Sequence, residues 1–265
     1  MKYGFIGLGS MASAIIKGMY NSKQFSPTEI YGYNRTIEKT KSLADNYSII
    51  TCQSVKEIMQ NTDVIILAVQ PQMLAAVLPE VKKYIHEKHL IISVAAGKSV
   101  DYLQQNLQSD TPIIRVMPNI NAIVAASTTC FSISPTVNEQ HKTIVATLFE
   151  TIGSIIELPE NLFTIFSAIG GASPAFTYLY IDSLARAAVR EGMDKKMALE
   201  IAASSVLGSA KMILESNEHP WELVDQVCSP GGTTIQGVTS LQNDHFASTI
   251  YDAVSAVIAK DGTLS

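Results

Sequence analysis

The sequence predicts an α/β nucleotide-binding half followed by an all-α half, and three observations carry the prediction. Short apolar runs alternate with helix-patterned segments through the first 160 residues, the rhythm of strands joined by helical crossovers. The first of those runs feeds directly into Gly7-Leu8-Gly9-Ser10-Met11-Ala12, a Gly-x-Gly-x-x-Ala turn between a strand and a helix. Beyond about Glu160 the strand signals stop, and helical periodicity rich in Ala, Ser, Leu, Ile and Gly continues to the end. The expected fold is a Rossmann-type dinucleotide-binding domain over 1–160 and an all-α dimerisation domain over 161–265.

Taken in order, Lys2 to Leu8 reads as the first strand, and Met11, Ala14, Ile15, Gly18 and Met19 pattern the helix after it. In the turn, Gly7 permits a tight reversal, Gly9 lets backbone approach a diphosphate, and Ala12 keeps the helix close to the sheet. The amide groups and dipole of the helix start, at Leu8 to Met11, favour that anion. The second strand, Glu29 to Asn34, ends in Asn34-Arg35-Thr36. An Asp or Glu at this place would grip ribose hydroxyls. Here no carboxylate repels a phosphate, a guanidinium is present to pair with it, and two short polar side chains can hydrogen-bond it. The expectation is NADPH, with NADH bound more weakly.

A short strand at Ser48 to Thr51, a helix at Ser54 to Gln60 and a buried-type strand at Asp63 to Val69 follow. Ala68-Val69-Gln70-Pro71 closes that strand, with helix from near Met73. His89 to Val94 is the next strand, closed by Ala95-Ala96-Gly97. Ligands lie outside the carboxyl ends of such strands, so 68–71 with Ala96 and Gly97 are cofactor candidates. The strand Ile113 to Val116 leads into Met117-Pro118-Asn119; Asn119 either orients a carboxamide or satisfies buried backbone groups. A strand at Ser127 to Ile133, a helix at Val137 to Glu150 and a strand at Ser154 to Leu158 complete the first half.

Helices are expected at Leu162 to Ala168, Pro174 to Arg190, Lys195 to Ser216, Pro220 to Val227, Thr233 to Gln242 and Phe246 to Lys260. Their apolar, small-residue surface exceeds what one short bundle buries, which implies a subunit interface. Two glycine-rich turns interrupt them. Ile169 to Ala175 sets Ala172 and Ser173 before a helix start; Cys228-Ser229-Pro230-Gly231-Gly232-Thr233-Thr234 does the same, with one threonine as N-cap. Such a turn suits a carboxylate or phosphate; it equally serves as a tight helix connection.

The balance of the chain narrows the classes. Hydrophobic residues are 47% and charged residues 16%, so cores rather than disorder are expected. A net charge of −5 with no basic run argues against nucleic acid or an anionic membrane surface as partner. The N-terminus has no signal-peptide layout, and no uninterrupted apolar stretch reads as a membrane span. Cys52, Cys130 and Cys228 form neither a disulfide framework nor a metal motif, and His86 and His89 read as surface residues sharing a helix face rather than metal ligands. A cytoplasmic, metal-free protein is expected.

In its motifs the chain resembles pyrroline-5-carboxylate reductases over essentially its full length. The residues are Gly7 to Ala12, Ala68-Val69-Gln70-Pro71-Gln72, Ala95-Ala96-Gly97, Arg115-Val116-Met117-Pro118-Asn119 and, most specifically, Cys228 to Gly237. The resemblance implies hydride transfer from NAD(P)H to a cyclic imine, giving proline, in a homodimer whose copies often assemble into a decamer. It places the substrate carboxylate on backbone amides around Ser229, Gly231, Gly232 and Thr233 and around Ala172 and Ser173. It gives Thr234 the ring nitrogen, as the catalytic hydrogen-bond partner. Three positions depart from the family pattern: Gln70 for Lys, Cys228 for a frequent Thr, and the 170–175 turn for Ser-Gly-Ser-Gly-Pro-Ala.

Imine reduction needs orientation and water exclusion rather than a strong acid, and no catalytic triad or paired carboxylates stand in the motif stretches. Two other readings compete. A 3-hydroxyacid dehydrogenase would need a lysine early in the helical half, and none occurs from Glu160 to Asp194. A non-catalytic NADPH-binding regulator would not need the Thr233-Thr234 pair.

Overall fold

The computed structural model describes residues 1–108 and 110–262; the last three residues of the expected helical domain lie outside them. Met1–Gly171 forms one compact unit and Ala172–Lys260 a second.

The first unit is built on an eight-stranded sheet: β1 (Tyr3–Ile6), β2 (Ile30–Tyr33), β3 (Ile50–Thr51), β4 (Val64–Leu67), β5 (Leu90–Ser93), β6 (Ile113–Met117), β7 (Ser127–Ile133) and β8 (Gly153–Glu157), in the order β3-β2-β1-β4-β5-β6-β7-β8. Strands β1 to β6 are parallel. Their crossovers carry α1 (Ser10–Ser22), α2 (Ile37–Tyr47), α3 (Val55–Asn61), α4 (Pro71–Tyr84) and α5 (Val100–Asn106). The order reverses at β1, between β2 and β4, which makes a crevice at the carboxyl ends of these strands.

Alternation along the strands feeds two cores. Val64 and Ile66 join Phe5 and Ile92 beneath α1 and α6 (Glu139–Glu150); Ile65 and Leu67 join Ile91 beneath α3, α4 and α5. Burial on both faces is why these strands read as unbroken apolar runs. The parallel pattern expected from the βα rhythm turns over at β7, which is antiparallel to β6. The link between them holds only a 3-10 turn, Ile120–Val124, too short for a crossover helix. Helix α4 begins at Pro71 rather than near Met73, because proline suits a first helical position.

His89 differs from its surface reading. Helix α4 ends before it, and it is fully buried. Its Nδ1 accepts the His86 amide at 3.1 Å, and its Nε2 lies 2.9 Å from the Met59 carbonyl. The His86 and His89 rings stack with centroids 3.6 Å apart, and burial holds His89 below its ordinary pKa.

The division between units falls later than the composition change at Glu160. Phe163 and Phe166 of α7 (Phe163–Phe166) are buried against Cys130. Glu160 accepts from Arg115 at 2.8 Å and from the Val100 amide at 2.9 Å, tying the segment to β6 and α5. Residues Ser167–Ala172 are then π-helical and run straight into α8 (Ser173–Arg190). The expected Ile169 to Ala175 turn is therefore a widened helix. Pro174 has no N–H to return to the Gly170 carbonyl, and that carbonyl takes a side-chain amide instead.

The second unit continues with α9 (Lys195–Glu215), α10 (Pro220–Val227), α11 (Thr233–Asn243) and α12 (Phe246–Asp261). Helices α8 and α9 meet through small buried residues, Ala185, Ala198 and Ala202, and through Asp182, which holds both Arg186 and Lys195. No residue of α10, α11 or α12 is buried, while Leu207 is 71% and Leu214 84% exposed. By length and composition Glu160–Arg190 and Lys195–Glu215 are apolar enough to cross a bilayer, although neither is an uninterrupted apolar run.

Candidate active site

Gly7 sits where a side chain is forbidden twice over. Its φ is +94°, and a Cβ would lie 2.8 Å from the Ala68 backbone. Its amide donates to Tyr33 at 2.9 Å, locking the turn against β2. Gly9 is different: a Cβ there would meet nothing within 4 Å. It is the N-cap of α1 and supplies no side-chain cap, so the first-turn amides of Ser10 and Met11 face outward without one.

A cavity of about 440 Å³ opens at the carboxyl ends of β1, β2 and β4. Gly7, Leu8 and Gly9, Asn34, Arg35 and Thr36, and Ala68, Val69 and Gln70 all line it. Sequence motifs from three separate strand ends thus share one crevice at the switch point. Asn34 braces it: its Oδ1 accepts the Leu8 amide at 3.1 Å, and its Nδ2 donates to the Thr36 carbonyl at 3.1 Å. Gln70 is tied by Gln72, whose Nε2 donates to it at 2.7 Å. Pro71 starts α4 beside them. Ala96 and Gly97 lie beyond β5, exposed, with Gly97 at φ +70°, and do not line this cavity.

Lys39 also lines the cavity and was missed in the sequence. Its signal in the sequence is a second cation four residues after Arg35, in the first turn of α2, and both cations line the same mouth.

Asn119 has its side chain engaged internally. Its Nδ2 donates to the Gly170 carbonyl at 2.8 Å, its Oδ1 accepts the Asn121 amide at 3.1 Å, and it is buried. Of the two readings the sequence left open, satisfaction of buried backbone is the one that describes these contacts.

In the second unit, Gly231 has φ +69° and open space around it, and Gly232 turns back on Ser229, its amide 2.9 Å from the Ser229 carbonyl. The N-cap of α11 is Gly232, with no side-chain cap. The expected threonine cap is thus corrected: Thr233 and Thr234 are the first two helical residues, both exposed. Ala172 and Ser173 are half-buried where the π-helical segment passes into α8. Cys228 is half-buried. Burial pushes the Cys52 and Cys130 thiols up to about 12, so neither offers a thiolate at neutral pH.

These features find their counterpart in known proteins. Residues 160–264 match the family of pyrroline-5-carboxylate reductase dimerisation domains, and residues 2–97 match NADP oxidoreductases that are coenzyme F420-dependent. The chain is 37% identical to the pyrroline-5-carboxylate reductase of Escherichia coli over 264 residues, covering 100% of this chain and 98% of that one. The chain belongs to the pyrroline-5-carboxylate reductase family. The solved reductase from Coxiella burnetii superposes with a TM-score of 0.95 at 30% identity, over 100% of this chain and 98% of that one. The Plasmodium falciparum family member, solved with NADP bound, gives a TM-score of 0.87 at 30% identity, covering 100% of this chain and 98% of its own. Membership accounts for the exposed helical surface: the second unit falls within a dimerisation domain, and the protein is a homo-oligomer.

Proposed function

We propose that the protein reduces 1-pyrroline-5-carboxylate to L-proline with NADPH, NADH serving more weakly. The observation that carries the reading is the uncapped start of α11 behind the Gly231-Gly232 turn, within the stretch most specific to the family. The Gly232 amide closes the turn on the Ser229 carbonyl, and the amides of Gly231, Thr233 and Thr234 beside it would hold the substrate carboxylate, with Ala172 and Ser173 assisting. Thr234 would hydrogen-bond the ring nitrogen and orient the imine carbon. The open side of Gly9 and the uncapped start of α1 fit a dinucleotide diphosphate. Arg35, Lys39 and Thr36 would take its 2′-phosphate, with 68–71, Ala96 and Gly97 along its path. When bound, NADPH supplies the hydride. The imine carbon accepts it, and the C=N double bond becomes a C–N single bond. The electron pair rests on nitrogen, which keeps the proton of the protonated imine. The residues orient the two reactants and exclude water, the main contribution such a reaction needs.

The functional division we adopt is cofactor binding by 1–160 and substrate binding with dimerisation by 161–265. The exposed apolar faces of α8 and α9 go to subunit contact rather than to a bilayer, because Asp182, Arg186 and Lys195 form a charged network on them. Dimers then build a decamer; a cytoplasmic setting without nucleic acid or membrane partners suits the free cysteines and acidic charge. The test is NADPH oxidation with pyrroline-5-carboxylate by the wild type and Thr234→Ala. Turnover that falls steeply in the variant is expected. A wild type inactive on this imine but active on hydroxyisobutyrate would overturn the reading.

A further inference from the structure

Met73, Ala76, Val77 and Glu80 are spaced three, one and three residues apart on α4, so they share one face. All four line the switch-point cavity. Met73, Ala76 and Val77 make, with Val55 and Val69, an apolar wall suited to a flat ring, and Glu80 stands at its end. The charges around this wall are distributed unevenly. Arg35 and Lys39 belong to the β2–α2 mouth, and Glu80 is the one carboxylate among the described residues lining the cavity. Among the described residues none of these three side chains enters an ion pair.

A carboxylate in a cavity that takes a polyanion opposes binding by repulsion unless it accepts a hydrogen bond from the ligand. The adenosine end of the dinucleotide offers two kinds of donor, the ribose 3′-hydroxyl, which stays beside the 2′-phosphate, and the exocyclic amino group of the base, which is the one that can reach a carboxylate on the α4 wall. With the 2′-phosphate at the two cations, the base would lie along the α4 wall, where Glu80 is the carboxylate its amino edge could meet. We infer that Glu80 reads that amino group and makes the protein select adenine over hypoxanthine dinucleotides. This inference rests on the NADPH reading. Hypoxanthine carries a carbonyl oxygen where adenine carries the amino group, so it sets acceptor against acceptor. A site built to accept a hydrogen bond rejects the analogue that lacks the donor.

The experiment is calorimetric titration, without imine, of NADPH and of its reduced hypoxanthine analogue into the wild type, Glu80→Ala and Glu80→Gln. The wild type is expected to bind NADPH several-fold more tightly, below the roughly tenfold scale of a buried hydrogen bond to a charged group because Glu80 is exposed. In Glu80→Ala the preference should fall to near unity. Glu80→Gln should regain affinity for the hypoxanthine analogue, because its amide can donate to the carbonyl. A wild type that binds both nucleotides equally, or a Glu80→Ala variant that keeps the preference, overturns the inference and leaves the NADPH reading intact. Binding of neither nucleotide overturns both.

Discussion

The side-chain amide of Asn119 donates to the carbonyl of Gly170, 51 residues away, at 2.8 Å. The contact joins the end of β6 to the π-helical segment before α8. It supplies a partner to the carbonyl that Pro174, four residues on, cannot serve. A Cβ on Gly170 would lie 2.7 Å from the Phe166 ring, so the segment has little room to shift toward another partner.

Asn119→Ala removes the side-chain donor to the buried Gly170 carbonyl and the acceptor of the Asn121 amide. The expected loss is about 1–3 kcal/mol of stability, read by urea unfolding, with nucleotide affinity retained. Unchanged stability with weakened NADPH binding would return Asn119 to the cofactor.

The π-helical segment also shows where local reading ends. Pro174 was legible as a first-turn proline, yet its widened preceding turn depends on Asn119, which no local pattern connects to it. The strands were legible because double-sided burial leaves unbroken apolar runs, and the Gly7 turn because its glycine requirement is local. His89 was misread because its burial comes from Met59 and His86 rather than from helix periodicity. Lys39 is legible only through its spacing of four from Arg35, because a lone lysine at a helix start looks like any solvated one. The antiparallel β7 is set by the length of a connection, not by the composition of the strand.

Arg35→Ala and Lys39→Ala should each weaken NADPH binding by about tenfold, the scale of a charge-assisted hydrogen bond, and leave NADH binding nearly unchanged. Raising the salt concentration should reduce the difference between the two nucleotides. Fluorescence titration of both nucleotides checks this. An equal effect on both would place these cations elsewhere than at the 2′-phosphate.

His89 makes stability depend on pH. Burial, then the neighbouring His86, lowers its folded pKa, so the unfolded chain binds the proton more readily. Its contribution is present above the unfolded value, about 6.5, and is lost as pH falls from there through the lower folded value. Unfolding free energy should decline over this window in the wild type. The decline should be shallower in His89→Gln, whose overall stability is lower because the Met59 and His86 contacts are altered. Identical slopes in the two proteins would remove His89 as the cause.

Gly7 and Gly9 sit two residues apart and should fail in opposite ways. At Gly7 an added methyl meets the Ala68 backbone at 2.8 Å on a φ of +94°. Gly7→Ala should cost roughly 1–3 kcal/mol through backbone strain and overpacking, lowering the melting temperature of the nucleotide-free protein. At Gly9 the same methyl meets no protein atom, and φ is −79°. Gly9→Ala should therefore melt like the wild type, yet lose NADPH affinity because the methyl occupies the space where the diphosphate approaches the start of α1. Thermal melts with and without NADPH separate the two. A Gly9→Ala protein that NADPH stabilises as strongly as the wild type would move the diphosphate away from this turn.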